Sequence, residues 1–327
     1  MPDILISEDI RGSAVDSLTK RFDVVTMPQL WRDPAGLAKE IANVRALIIR
    51  NQTQITADLL GHAKDLVVLG RAGVGLDNVD VRACEEAGVI VTSTPEQSTI
   101  SVAELAIGMM ISLARHIPAA DTDTKQGRWN RQRFMGIELH GKTFGIIGAG
   151  KIGLASARRA HAFGMKILAH DPLLSRDNVS LAELSAELVT LQELLTRADV
   201  VSCHLPSTPK TNRLLNAAAF AQMKSSAFFI NTSRGEVVDE AALFDSLKSN
   251  RIAGAALDVR ENEPPIAGQL EGLPNVLLTP HVAALTHEAQ ARVTRAICDD
   301  VGRVLDGQQP LNAVVNPRLA RDGSHRN

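Results

Sequence analysis

Short, unbroken apolar runs recur along this chain, separated by stretches with helical spacing. In the first hundred residues, Ile4–Ile6, residues 24–25, Ala46–Ile49, residues 66–69 and residues 89–91 are strand candidates. Residues 14–18 and 37–41 read as helices between them. A strand with one solvated face alternates apolar and polar positions, whereas a strand covered on both faces is apolar throughout. Continuous runs alternating with helices therefore predict a parallel sheet with helices on both sides. The same pattern resumes in residues 144–147, 165–170, 188–190, 199–204, 227–231, 252–258 and Val276–Leu278, which predicts a second sheet of the same kind. The expected fold class is α/β, with two doubly wound parallel-sheet domains.

Between the two sets, residues 102–114 read as a long helix, apolar nearly all round and so expected to be buried, with Ser98-Thr99 as its N-cap. Gly108 and the pair Met109-Met110 read there as close packing. A last helix is expected over residues 286–305, followed by a polar, frayed tail at 318–327.

Residues 143–171 carry a pattern of their own. Phe144, Ile146 and Ile147 run into Gly148-x-Gly150-x-x-Gly153; a helical stretch ends at Gly164; a second apolar run ends at Asp171, eighteen residues after Gly153. Gly148 permits a tight turn, Gly150 lets a pyrophosphate approach the backbone, and Gly153 lets the helix pack on the strand. The helix N-terminus offers N–H groups and partial positive charge to phosphates. Asp171 suits the ribose hydroxyls of an adenosine and repels a 2′-phosphate, which favours NAD over NADP. A glycine turn that only packs is the bland alternative, but strand, turn, helix, strand and acid all stand in the required order.

Bulk properties narrow the class. The 327 residues suit two domains. Composition is that of a soluble globular protein, 45% hydrophobic and 22% charged, and the net charge of -2 gives no nucleic-acid or anionic-membrane footprint. Cys84, Cys203 and Cys298 are too sparse for a disulfide framework and fit a reducing cytoplasm. The N-terminus has no basic region and no long apolar run, so no signal peptide is expected. No apolar stretch reaches the ~18 residues of a membrane span. No metal site is expected.

Polar residues at strand ends supply candidate chemistry. Arg50 heads one loop and Arg71 lies in a glycine-rich one, residues 70–78; either arginine suits an anion, though solvated arginines in ordinary turns fit equally. Later, Arg234 follows Asn231-Thr232-Ser233, Glu263 precedes Pro264, and His281 follows Pro280. Reducing a 2-keto acid needs a cation for the carboxylate, a proton donor for the developing alkoxide, and a carboxylate to favour the imidazolium; Arg234, His281 and Glu263 are of those types. Spacing alone does not show that they converge.

The chain resembles the D-isomer-specific 2-hydroxyacid dehydrogenases, in particular the phosphoglycerate dehydrogenase-like branch in a short form without the C-terminal regulatory domain. The segments that carry the resemblance are residues 71–80, 127–131, 134–148, 231–235, 256–259 with Glu263-Pro264, and Pro280-His281, in the family's order and over most of the chain. The resemblance implies a Rossmann NAD-binding domain, residues 98–284, inserted into a flavodoxin-like substrate domain, residues 1–97 plus 285–327. It implies Arg234, Glu263 and His281 as the catalytic set, and cofactor contacts from Lys151, Ile152, Thr232, Ser233 and Asp258, with His204 and Pro206 near the adenosine. It implies that Val74-Gly75 grips the substrate carboxylate, and that the enzyme is a homodimer joined through its NAD domains. The expected activity is hydride transfer between NADH and the C2 carbonyl of a 2-keto acid, with no nucleic-acid or membrane partner.

Two departures bear on the substrate. Gln54 stands where phosphoglycerate dehydrogenases carry a cation, and Ser93-Thr94-Pro95-Glu96-Gln97-Ser98 replaces their usual Asn-Thr-Pro-Gly-x-Asn. The loop 50–54 and Ile6-Ser7-Glu8 are similar to the sulfolactate dehydrogenase branch. Sulfolactate and hydroxypyruvate/glyoxylate types are therefore alternatives. The rival class is an NAD-responsive corepressor-like binding module of the same fold.

Overall fold

The structure, a computed structural model, describes residues 2–175, 178–266 and 268–317. The tail expected to fray at 318–327 lies outside the described residues. The chain divides into two compact units, Met1–Ser98 with Leu285–Asn327, and Thr99–Ala284. Thirteen strands form among the described residues: β1 Ile4–Ile6, β2 Val24–Thr26, β3 Ala46–Ile49, β4 Val68–Arg71, β5 Ile90–Thr92, β6 Thr143–Ile147, β7 Lys166–His170, β8 Glu187–Leu188, β9 Val200–Cys203, β10 Phe228–Asn231, β11 Gly254–Leu257, β12 Val276–Leu278 and β13 Ala313–Val315.

In the first unit the sheet order is β2-β1-β3-β4-β5-β13, the flavodoxin-like winding extended by one edge strand. Strands β1 to β5 pair in parallel, as their continuous apolar character requires, and β13 alone runs antiparallel to β5. Sequence reading missed β13 because it is only three residues long and exposed over most of its length, so burial leaves no apolar signature. Strand β4 begins at Val68 rather than at 66 and runs to Arg71, which pairs with Ile49. The helix His287–Leu305 packs Val293, Ile297 and Val301 against Ile4, Ile6, Ile48 and Val68. Gly70 makes that approach possible, since a Cβ there would lie 2.8 Å from Val301 Cγ2.

In the second unit the order is β8-β7-β6-β9-β10-β11-β12, parallel throughout. This is the Rossmann winding, and strand order reverses between β6 and β9, the switch point beyond which such sheets bind ligands. Apolar cores cover both faces, one around Phe220 and Phe229, whose rings meet edge to face at 5.5 Å, the other around Phe144 and Ile230. The helix Thr99–Arg115 belongs to the second core through Ala106, Met109 and Met110. Two expectations for it need adjusting. It begins at Thr99, so of the expected pair Ser98 stands at the N-cap position and Thr99 is already helical. It is also not buried all round: Ile100, Glu104 and Gly108 are exposed, and nothing lies within 4 Å of a Cβ placed on Gly108. Residues four apart share one helix face, and this face is the one left uncovered within the unit.

Candidate active site

The glycine turn after β6 is explained residue by residue. Gly148 has φ +90°, and a Cβ there would lie 2.7 Å from the His204 carbonyl oxygen. A Cβ on Gly153 would lie 2.1 Å from the Gly148 carbonyl oxygen. Packing thus demands the first and third glycines. The middle one, Gly150, has open space where its side chain would be. Lys151 and Ile152 then open the helix Lys151–Ala162, whose leading N–H groups have no acceptor within the helix. A bare backbone facing open space at a helix N-terminus fits a dinucleotide pyrophosphate.

Asp171, just past β7, is tied to this turn: its carboxylate accepts the Ala149 N–H at 3.0 Å and the Leu173 N–H at 2.9 Å. His204 follows β9 across the switch point. Its Nε2 meets Ser202 Oγ at 2.9 Å, and its Nδ1 is buried without a hydrogen-bond partner. Enclosure of the ring pushes its pKa down to about 4, so His204 is neutral near pH 7. Pro206 lies exposed two residues on.

At the ends of β10, β11 and β12 the remaining candidates gather. Asn231, fully buried, builds the turn that presents Arg234: its Oδ1 accepts the Ser233 N–H at 3.0 Å and hydroxyl at 2.7 Å, and its Nδ2 donates to the Arg234 carbonyl at 2.9 Å. The Ser233 hydroxyl also reaches Cys203 Sγ at 3.6 Å, placing this turn beside the residue before His204. The Thr232 hydroxyl is buried without a partner, an orphan that a ligand group would satisfy.

His281 adopts φ +53°, a left-handed conformation uncommon for a residue with a side chain. Buried Asp258 holds it there. Its carbonyl accepts the His281 N–H at 2.8 Å, and its carboxylate accepts Val282 N–H at 2.9 Å, Ala283 N–H at 2.8 Å and the Thr279 hydroxyl at 2.5 Å. His281 Nδ1 meets Glu263 Oε2 at 2.6 Å, and Glu263 Oε1 accepts the Arg260 N–H at 3.0 Å. The hydrogen bond that His281 donates to Glu263, joined by the charges of Glu263 and Asp258, raises the His281 pKa against burial and the Arg234 guanidinium. Burial pushes Glu263 up, but its bonds to His281 and the Arg260 backbone, with the Arg234 charge, hold it below the usual carboxylate range. The cluster of Arg234, Glu263 and His281 is thus a cation beside a carboxylate that favours the charged form of an imidazole.

Arg50, Arg71, Val74 and Gly75 lie in the first unit, at the C-terminal ends of neighbouring β3 and β4. Buried Glu8 organises the first loop, its carboxylate accepting N–H groups of Arg50 at 2.8 Å, Gln52 at 3.2 Å and Thr53 at 3.0 Å. Asn78 donates to the carbonyls of Arg50 and Thr53, and the Arg50 guanidinium donates to Gln290. The Arg71 side chain fills the space over Gly73, where a Cβ would clash with it. Val74 is exposed and Gly75 half-buried. Sequence reading placed Glu8, Asn78 and Asn231 in quoted segments but gave none of them a role. An Asx residue at a strand end is the one signal that pointed to Asn231.

A model of the NAD binding domain of D-isomer specific 2-hydroxyacid dehydrogenases matches residues 107–283. The chain belongs to this family. It is 40% identical over 318 residues to the D-3-phosphoglycerate dehydrogenase of Archaeoglobus fulgidus, covering 97% of this chain and 60% of that protein. The chain thus spans about 60% of the length of such relatives. It is 43% identical to the hydroxypyruvate reductase of Thermotoga maritima, covering 82% of this chain and 87% of that one. Among solved structures of this likeness, the TT0316 protein of Thermus thermophilus superposes with a TM-score of 0.89 at 34% identity, covering 96% of this chain and all of that one.

Proposed function

We propose that this family member is an NAD-dependent 2-hydroxyacid dehydrogenase, interconverting a 2-hydroxy acid and its 2-keto acid. The observation that carries the reading is the 2.6 Å contact of His281 Nδ1 with Glu263 Oε2, beside Arg234. In the reductive direction Arg234 binds the carboxylate and polarises the keto oxygen. His281, whose protonated form Glu263 favours, donates the proton from its other ring nitrogen to the alkoxide as charge develops there. NADH, when bound, supplies the hydride to C2. The glycine turn, Lys151 and Ile152 take its phosphates, Asp171 the adenosine ribose, His204 and Pro206 the adenosine side, and Thr232, Ser233 and Asp258 the nicotinamide end.

We assign Val74 and Gly75 to the substrate carboxylate, and Arg50 and Arg71 to a second anionic group, as a phosphorylated 2-hydroxy acid would carry. The relatives named as phosphoglycerate dehydrogenases support that class. A homodimer in the cytoplasm completes the proposal. Its supports are the exposed apolar side chains Ile100, Ile117, Trp129 and Met135 on the NAD-binding unit, and three buried free thiols.

The test is NADH oxidation with phosphohydroxypyruvate, sulfopyruvate, hydroxypyruvate, glyoxylate, oxaloacetate and pyruvate. A preference for a dianion supports the second-anion site, and a preference for small monoanions removes Arg50 from substrate binding. Tight NADH binding with no turnover of any of them would overturn the enzyme reading in favour of an NAD-responsive binding module.

A further inference from the structure

We propose that Glu240 is a positioning residue: clamped on Arg260, it fixes the loop from Arg260 to Glu263 so that the Glu263 carboxylate meets His281. The inference rests on the dehydrogenase reading for its kinetic consequence, but its geometry stands within one unit of the fold.

Between buried Val259 and buried Leu270, no described residue of the loop that carries Glu263 buries an apolar side chain. Residues 262–266 are exposed, Ile266 to 91%. What holds the loop is polar. Asp239 caps the helix Glu240–Lys248 by accepting the Ala242 N–H at 3.1 Å, which sets Glu240 as the first helical residue. Both Glu240 oxygens grip the Arg260 guanidinium, Nε to Oε1 and Nη2 to Oε2, each at 3.0 Å. Glu240 Oε1 also accepts the Glu261 N–H at 2.6 Å. The remaining guanidinium nitrogen donates to Glu271 Oε1 at 2.6 Å. The Arg260 side chain is 11% exposed and that of Glu240 19%. This is a bidentate, largely enclosed pair, unlike the solvated surface pairs that contribute little.

The grip passes to the reacting group through one peptide. The Arg260 N–H donates to Glu263 Oε1, and the other Glu263 oxygen meets His281 Nδ1. The next peptide, Arg260–Glu261, whose N–H Glu240 holds, sits against the residue after Arg234: a Cβ on Gly235 would lie 1.9 Å from the Arg260 carbonyl oxygen. One loop is therefore held against both the Arg234 turn and His281, and Glu240 holds the loop.

Glu240→Gln tests this, since it keeps an acceptor for the Glu261 N–H and removes the charge that grips Arg260. The charged groups acting on His281 are Glu263 and Asp258, which favour the imidazolium, and Arg234, which opposes it. Of these, Asp258 is secured by its own bonds to residues 279–283, so loosening the clamp withdraws Glu263. The His281 imidazole, followed by NMR, is expected to titrate lower by about half a pH unit or more. Turnover is expected to fall roughly tenfold, with NADH affinity unchanged. Arg260→Lys, which keeps the charge but not the bidentate grip, is expected to shift both readouts in the same direction by less. An unmoved His281 titration in Glu240→Gln, with or without a lower Tm, would reduce Glu240 to a brace and overturn the proposal. If the wild-type protein turns over no 2-keto acid, the dehydrogenase reading fails, and the NMR titration still decides the positioning claim by itself.

Discussion

The loops after β6 and β3 leave buried parallel strands in the same way, yet present opposite surfaces. After β6, Gly150 leaves the backbone bare and open at the start of a helix. After β3, Glu8 has already taken the N–H groups of Arg50, Gln52 and Thr53. The first loop can meet an anion with its main chain. The second has three of its backbone donors turned inward onto a carboxylate, which leaves recognition mainly to its side chains. A strand-end position makes a loop available for binding. The neighbouring acid decides whether backbone or side chain does the recognising.

The largest expected effect lies in neither loop and so isolates the chemistry from both. His281→Ala should lower turnover roughly 10²–10⁴-fold with NADH binding intact by fluorescence titration; near-normal turnover would remove His281 from the reaction. The pH dependence has a definite sign. The folded-state pKa of His281 is raised above 6.5, so reduction, which uses the imidazolium, should persist above that value and fall as pH rises through the raised pKa. Oxidation, which uses the neutral ring, should rise through the same point.

The glycines sharpen the comparison next. Gly150→Ala should fold normally and weaken NADH binding by roughly tenfold or more, about 1.4 kcal/mol or above. Gly153→Ala should instead destabilise the fold by about 1–3 kcal/mol, because its Cβ would sit inside the Gly148 carbonyl contact. Equal Tm losses in the two variants would undo the distinction between an open and a packed glycine.

On the other side, Glu8→Gln should cost about 1–3 kcal/mol of stability and raise KM for the keto acid while NADH affinity holds. If KM is unchanged in a folded Glu8→Gln protein, the loop after β3 does not bind substrate. The smallest effect is expected for Asp171→Ala, a rise in NADPH use relative to NADH of roughly tenfold. A wild-type preference for NADPH would contradict the role given to Asp171.

Much of this was legible in the chain itself. Buried parallel strands are continuous apolar runs, so β3 and β12 were read to the residue, and the glycine turn declared itself because its parts are local. Strand β13 was not legible, since an exposed three-residue edge leaves no apolar run. The face of the helix from Thr99 was misjudged for a related reason: apolar composition does not say which face a neighbour will cover.

The sequence by itself determined two parallel α/β sheets, the position of the glycine turn, and the residue types available at each strand end. Those depend on periodicity and on backbone freedom, which are properties of adjacent residues. Only the tertiary structure decided that Glu263 reaches His281 across 18 positions, that Asp258 holds His281 in a left-handed turn, and that Glu240 and Arg260 meet. Hydrogen bonds form between groups a few ångströms apart, and the order of strands in the sheet, rather than the order of residues in the chain, sets which groups those are.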